Sequence, residues 1–231
     1  AIAEEIYTSC LNLWRKIGDV EAEARTMQGL GIIADIQGDL DKATRISHEC
    51  LEIYRNNGIL EGEAHTLNNL GIIAEKQGNL EQAENLINQS LELKRQIGLR
   101  KGEANSLSAL GIIAEKQNDI IKAQNMHKSA LEMYIELGLP HGEAASKNNL
   151  GIIAMKIGNI DRAEMLLNDC LSISRQIDDL NGQAKSLGNL SNIAKSRGDL
   201  DLAERLKIEM RTIEKEMGVS TDESIFDKQG I

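Results

Sequence analysis

The residues of this 231-residue chain that could ligate a metal or act as nucleophiles are four histidines and three cysteines. A zinc site gathers Cys, His or carboxylate ligands, commonly as short-spaced pairs. His48, His65, His127 and His141 have no partner at such a spacing, so they are assigned to the surface or to a groove. Cys10, Cys50 and Cys170 differ in number by multiples of forty. They share one repeating position with Ser90, Ala130 and Met210, where Cys acts as a small hydrophobe. Adjacent copies should stand about 10 Å apart, a helix-packing distance, which is too far for a disulfide. An odd cysteine count also fits a reducing compartment. The carboxylate pairs Glu4-Glu5 and Asp178-Asp179 fall at solvated helix ends, whereas acid–base hydrolysis needs two carboxylates facing one cleft. No glycine-rich phosphate loop joins a strand to a helix. The sequence therefore offers no catalytic residue, no metal site and no cofactor site, and the expected class is not an enzyme.

The elements that carry these residues repeat. LGIIA occurs at 30–34, 70–74, 110–114 and 150–154, and becomes LSNIA at 190–194. Ala43, Ala83, Ala123, Ala163 and Ala203 form a second column at the same period, and Ala24, Ala64, Ala104, Ala144 and Ala184 a third. Apolar residues at 67, 70, 73 and 74 lie on one helical face, so a helix is predicted over 61–77, stopped by Gly78. Asn79 reads as the N-cap of a second helix over 80–97, with Gln82 completing a capping box. Gly31, Gly71, Gly111 and Gly151 sit mid-helix, where each costs about 1 kcal/mol relative to Ala. Close approach of the paired helix, through the Ala43 column, explains that cost. Gly62, Gly102, Gly142 and Gly182 mark a shared turn or helix start. Asn118 stands where other repeats have a turn glycine, and Asn tolerates the left-handed conformation.

Leu70, Gly71, Ala74, Ala83, Ser90 and Leu91 carry a pattern that resembles the tetratricopeptide repeat. The resemblance spans about residues 1–217 and is most similar to the 40-residue variety of Pins-type scaffolds, kinesin light chains and bacterial or archaeal multidomain proteins. The usual Trp is replaced by Met27, Leu67, Leu107, Lys147 or Leu187, and the usual Tyr by Ala. HEAT repeats share the length but not this Gly/Ala pattern. The expected fold is all-α: a right-handed superhelix of antiparallel helix pairs, about eleven helices in all. The array divides into a half unit at 1–20, units at 21–60, 61–100, 101–140, 141–180 and 181–217, and a tail at 218–231 in which Ile225 and Phe226 could dock back. The resemblance implies a concave groove lined by first helices. Its expected lining is Arg25, Gln28, His65, Asn68, Asn69, Ile72, Asn105, Ser108, Ile112, Asn148, Asn149, Ile152, Lys185, Asn189 and Asn192. Asparagine is a mediocre helix former, so its recurrence mid-helix suits hydrogen bonding to an extended peptide backbone. Charge in the lining shifts from Asp35, Glu75 and Glu115 to Lys185 and Lys195, suggesting a ligand with one preferred direction.

The remaining composition narrows the partner. A net charge of -10 and 2% aromatic residues lack the cationic footprint and stacking platforms of nucleic-acid binders. No apolar run is long enough to span a membrane, and the expected location is cytoplasmic. Residues 1–17 align with a second helix, leaving its apolar face bare, which suggests an upstream continuation or a contact there. The expected function is a protein-interaction module holding a protein or peptide ligand, as part of a larger scaffold, sensor or effector. One alternative is a self-assembly element that forms a homo-oligomer through the N-terminal end. Another is a regulatory domain fused to an upstream NTPase or protease.

Overall fold

The computed structural model describes residues 2–218; apart from Gly218, the expected tail lies outside the described residues. Among the described residues there are eleven helices: α1 (Ile2–Ile17), α2 (Val20–Ile36), α3 (Leu40–Asn56), α4 (Leu60–Lys76), α5 (Leu80–Gln96), α6 (Arg100–Lys116), α7 (Ile120–Glu136), α8 (Pro140–Lys156), α9 (Ile160–Gln176), α10 (Leu180–Ser196) and α11 (Leu200–Glu216). They gather into two compact units whose boundary along the chain falls within α7, the first reaching Met126 and the second starting at His127. In the first unit α1 packs on α2, α2 pairs with α3, and α4 with α5, while α3 also touches α4 and α5 touches α6. In the second, α8 pairs with α9 and α10 with α11, and α9 also packs on α10.

Tight turns of nearly one design separate the helices. A residue with left-handed backbone recurs every twenty positions, filled by glycine except at Asn118 (φ 63) and Asp178 (φ 53). At the α2–α3 turn the Gly38 N–H reaches Asp35 O and the Asp39 N–H reaches Ala34 O, closing the first helix. Asp39 then caps the next helix by accepting from the Lys42 N–H at 3.0 Å. Asp19, Asn159, Asp179 and Asp199 cap in the same way. Asn79 does not. Its side chain makes no capping hydrogen bond, so the capping box read at Asn79 and Gln82 is absent. α4, α6 and α8 start from Ile59, Leu99 and Leu139, which offer no side-chain acceptor.

The mid-helix glycines are explained by the partner helix. A Cβ on Gly71 would lie 2.6 Å from Ile87 Cδ1 and 3.2 Å from the Ala83 carbonyl, and one on Gly151 would lie 2.9 Å from Leu167 Cγ. Gly31 is different: Ser47 replaces the large side chain, and the nearest atom would be 3.5 Å away. The core is a series of local clusters, such as Leu11, Ala24, Met27, Cys50 and Tyr54 in the first unit. Ala163, Leu167, Leu171, Leu187 and Ile193 belong to the cluster of the second. His127, expected at the surface or in a groove, is instead fully buried. It occupies the column of Ile87 and Leu167, which face the mid-helix glycines.

Candidate functional site

In the first unit the expected lining splits between residues on the surface and residues spent on the fold. Ile32, Ile72 and Ile112 are 49%, 36% and 40% exposed, one per first helix, while their neighbours Ile73 and Ile113 are buried. Asn69 joins Ile32 and Ile72 around a small pocket of about 60 Å³. Arg25 is exposed and pairs with Glu21 on its own helix. His65 is exposed beside Glu61, at 3.7 Å. Partial burial, then the nearby Lys94 ammonium, holds its imidazole below the usual pKa. Asn105 is exposed and Ser108 half-buried.

Gln28 and Asn68 lie elsewhere in the hydrogen-bond economy. The Tyr54 hydroxyl donates to Gln28 Oε1 at 3.0 Å, and Gln28 Nε2 donates to Thr66 Oγ1 at 2.7 Å. One repeat on, Lys94 Nζ donates to Asn68 Oδ1 at 3.0 Å and to Ser106 Oγ at 2.8 Å. These amides bridge successive repeats, so their expected availability to a ligand is reduced. Lys94 is 2% exposed, and burial pushes its pKa down to about 8. Burial likewise pushes the Tyr54 and Tyr134 phenols up to about 12. The sequence reading missed this column of Tyr54, Lys94, Tyr134 and Ser174. Its signal was a polar residue eight positions before each of Gly62, Gly102, Gly142 and Gly182.

The expected charge gradient also changes. Asp35 accepts from Lys76 Nζ at 2.6 and 2.7 Å, and Glu75 pairs with Lys116. Asp35 and Glu75 are thus each paired with a lysine of the following repeat.

In the second unit the expected residues come together. Asn148, Ile152, Lys185, Asn189 and Asn192 line one open concavity of about 670 Å³ that extends to Met210 on α11 and to Met217, which caps its end. Asn189 Nδ2 donates to Asn148 Oδ1 at 3.1 Å, which orients the two amides. Asn149 lies in an adjoining cavity of about 130 Å³, with Asn148, Asp179 and Lys185. Asp179 was read as a solvated helix-end acid; its side chain is 28% exposed, and it lines this cavity.

Amides, an ammonium and apolar side chains line these surfaces, and among the described residues no group of three or more His, Cys, Asp or Glu could hold a metal ion. Cys10, Cys50 and Cys170 are free thiols, and burial pushes the Cys50 thiol up to about 12. The sequence profile of the tetratricopeptide repeat matches residues 1–56, 62–136 and 142–209. The chain belongs to the tetratricopeptide repeat family. No curated protein sequence matches this tetratricopeptide chain. Among solved structures it is similar to BtubC (BKLC) from P. vanneervenii, with TM-score 0.79 and 19% identity over 94% of this chain and 92% of that one. A putative kinesin light chain from Podosopora anserina, with nearly identical tetratricopeptide-like repeats, aligns with TM-score 0.67 and 15% identity, over 85% of this chain and 96% of that one. The Rap conjugation gene regulator of plasmid pLS20, in complex with the Phr* peptide, aligns with TM-score 0.74 and 13% identity over 87% of this chain. The chain spans 55% of that Rap protein's length. At these identities the likeness is one of tetratricopeptide fold.

Proposed function

We propose that this chain is a protein-interaction module that holds an extended segment of a partner protein against the faces of its first helices, within a larger scaffold, sensor or effector. The observation that carries this reading is the concavity of about 670 Å³ formed by Asn148, Ile152, Lys185, Asn189 and Asn192. Asparagine amides both donate and accept, as an extended backbone requires, and apolar side chains beside them take alternate side chains of the bound segment. In the first unit Asn69, Ile32 and Ile72 offer the same pairing of amide and apolar surface. The peptide complex of the similar Rap protein agrees with this use of the fold. The reading gives the chain no catalytic step and needs no cofactor. Free thiols and the absence, among the described residues, of any helix long and apolar enough to cross a membrane suit a reducing aqueous compartment such as the cytoplasm.

The test is selection of peptides from a displayed random library on the immobilised chain. Selected peptides should lose at least tenfold in affinity on the Asn149→Ala/Asn192→Ala variant, at unchanged helicity. Equal binding to both proteins would sink the assignment of this surface.

A second reading draws on α1, where Ile2, Ile6, Leu13 and Ile17 are each more than half exposed. Self-association through that face predicts a dimer by sedimentation that Ile6→Lys/Leu13→Lys converts to a monomer. A monomer at all concentrations would end it.

A further inference from the structure

The cavity of about 130 Å³ in the second unit lies where one repeat departs from the three before it at two positions together. The first is the column of Tyr54, Lys94, Tyr134 and Ser174. Tyr54 lies over Gly62, Lys94 over Gly102 and Tyr134 over Gly142, each within 3.1 Å of where a Cβ would stand. Tyr54 and Lys94 carry a polar end across to the preceding first helix, at Gln28 and Asn68. Ser174 keeps its hydroxyl against Gly182 and reaches no further. The cavity is lined by Gly182 and Asn148, the counterparts of Gly102 and Asn68, the two groups that Lys94 spans two units earlier.

The second departure is in the column of Asp19, Ile59, Leu99, Leu139 and Asp179, where the three repeats before it carry an aliphatic side chain. The repeat that loses the filling side chain gains a carboxylate on the cavity wall. Asp179 Oδ1 accepts from the Gly182 N–H at 3.0 Å. Its Oδ2 stands 2.6 Å from where a Cβ on Gly182 would be, inside the niche. The remaining charge on the cavity wall is Lys185, which is exposed; His141 Nδ1 stands 3.9 Å from Asp179 Oδ2.

We propose that this cavity is a socket for a primary ammonium on an alkyl chain, a lysine side chain of the bound segment, placed between Asp179 and Asn148. The partner's lysine would do there what Lys94 does within the chain at Asn68. The carboxylate makes the site more hospitable to that charge than the niche of Lys94, which has hydroxyl and amide partners only. The proposal rests on the reading that the first-helix face holds a peptide, and it names the residue type read at this repeat.

The test uses Nα-acetyl-lysine N-methylamide, titrated into isotope-labelled protein while the side-chain amides of Asn148, Asn149 and Asn181 are followed by NMR. Saturable shifts of these amides are expected. Asp179→Asn keeps a side chain that caps a helix equally well and should weaken binding about fivefold, the effect of losing one half-exposed ion pair. Lys185→Met removes a like charge and should tighten it. Ser174→Lys supplies an internal ammonium and should abolish the shifts. Nα-acetyl-glutamate N-methylamide should not bind, and norleucine N-methylamide, which offers only an α-amine, should bind more weakly than the lysine probe. An absence of saturation with the lysine probe, equal binding of the glutamate probe, tighter binding of the α-amine probe, or an Asp179→Asn variant of unchanged affinity would each overturn the assignment. The probe needs no partner protein, so its failure is separate from failure of the peptide-display selection.

Discussion

Replacing Lys94 by methionine should make the protein more stable at neutral pH and less stable at alkaline pH. The ammonium is 2% exposed and faces an amide oxygen and a hydroxyl instead of a carboxylate. Its pKa falls from 10.5 to about 8 in the folded chain. The gap is worth about 3 kcal/mol against the folded state wherever both states carry the proton, which is below about pH 8. Between that value and 10.5 the unfolded chain binds more protons than the folded one, so wild-type stability rises with pH through this window. Methionine removes the penalty and fills the same volume, while forfeiting two hydrogen bonds at about 1 kcal/mol each. The Ser106 hydroxyl, already 3.1 Å from Asn68 Oδ1, keeps that amide partnered. Lys94→Met should therefore gain about 1 kcal/mol at pH 7 and trail wild type by about 2 kcal/mol at pH 10.5. Tyr54, Tyr134 and Cys50 also titrate at high pH but are common to both proteins, so they cancel in the difference. The assay is urea unfolding of both proteins at half-unit pH steps from 7 to 10.5. Removing the Lys94 charge should also raise the pKa of His65, read from its imidazole resonances. A stability difference that stays flat across the window would refute the reasoning.

Gly31 and Gly71, two of the four glycines of one column, should respond oppositely to alanine. Gly31→Ala meets only ordinary contacts and should gain up to about 1 kcal/mol in urea unfolding, whereas Gly71→Ala drives a methyl against Ile87 and should lose about 1–3 kcal/mol. Asp178→Gly, relieving the backbone at φ 53, should gain about 0.5–1 kcal/mol, measured in the same way. Cys50 and Cys170 are buried with thiols shifted up, so a thiol-reactive chromophore at pH 8 should label Cys10 first and the other two only on unfolding.

Much of the fold could be read from the sequence because its causes are local and repeated. The turn glycines, the aspartate caps and the Gly71–Ala83 contact each depend on residues within one helix pair. The site was harder to read, because a column gives a residue's phase and leaves open what the next repeat puts opposite it. Gln28 and Asn68 look available until Thr66 and Lys94 are seen to claim them. Asp35 and Glu75 look like an acidic lining until Lys76 and Lys116 neutralise them. Asn79 shares its column with Asp39, Asp119, Asn159 and Asp199, yet its side chain leaves α5 uncapped. His127 was assigned to the surface or a groove by its residue type, although its column is that of buried Ile87 and Leu167. In the second unit Asn148 and Asn189 bond each other, and with Ile152, Lys185 and Asn192 they line one concavity.

The bridges between successive repeats bear on how such a chain changes length. The stretches 71–77 and 111–117 are identical in sequence. Misaligned recombination between the gene segments encoding them would remove or duplicate forty residues without a scar. After removal, Asp35 would find Lys116 where it now finds Lys76. The lost lysine's place is taken by its neighbour's, so the Asp35 pair survives the shortening. Whole repeats are thus the natural unit in which the array gains or sheds binding surface.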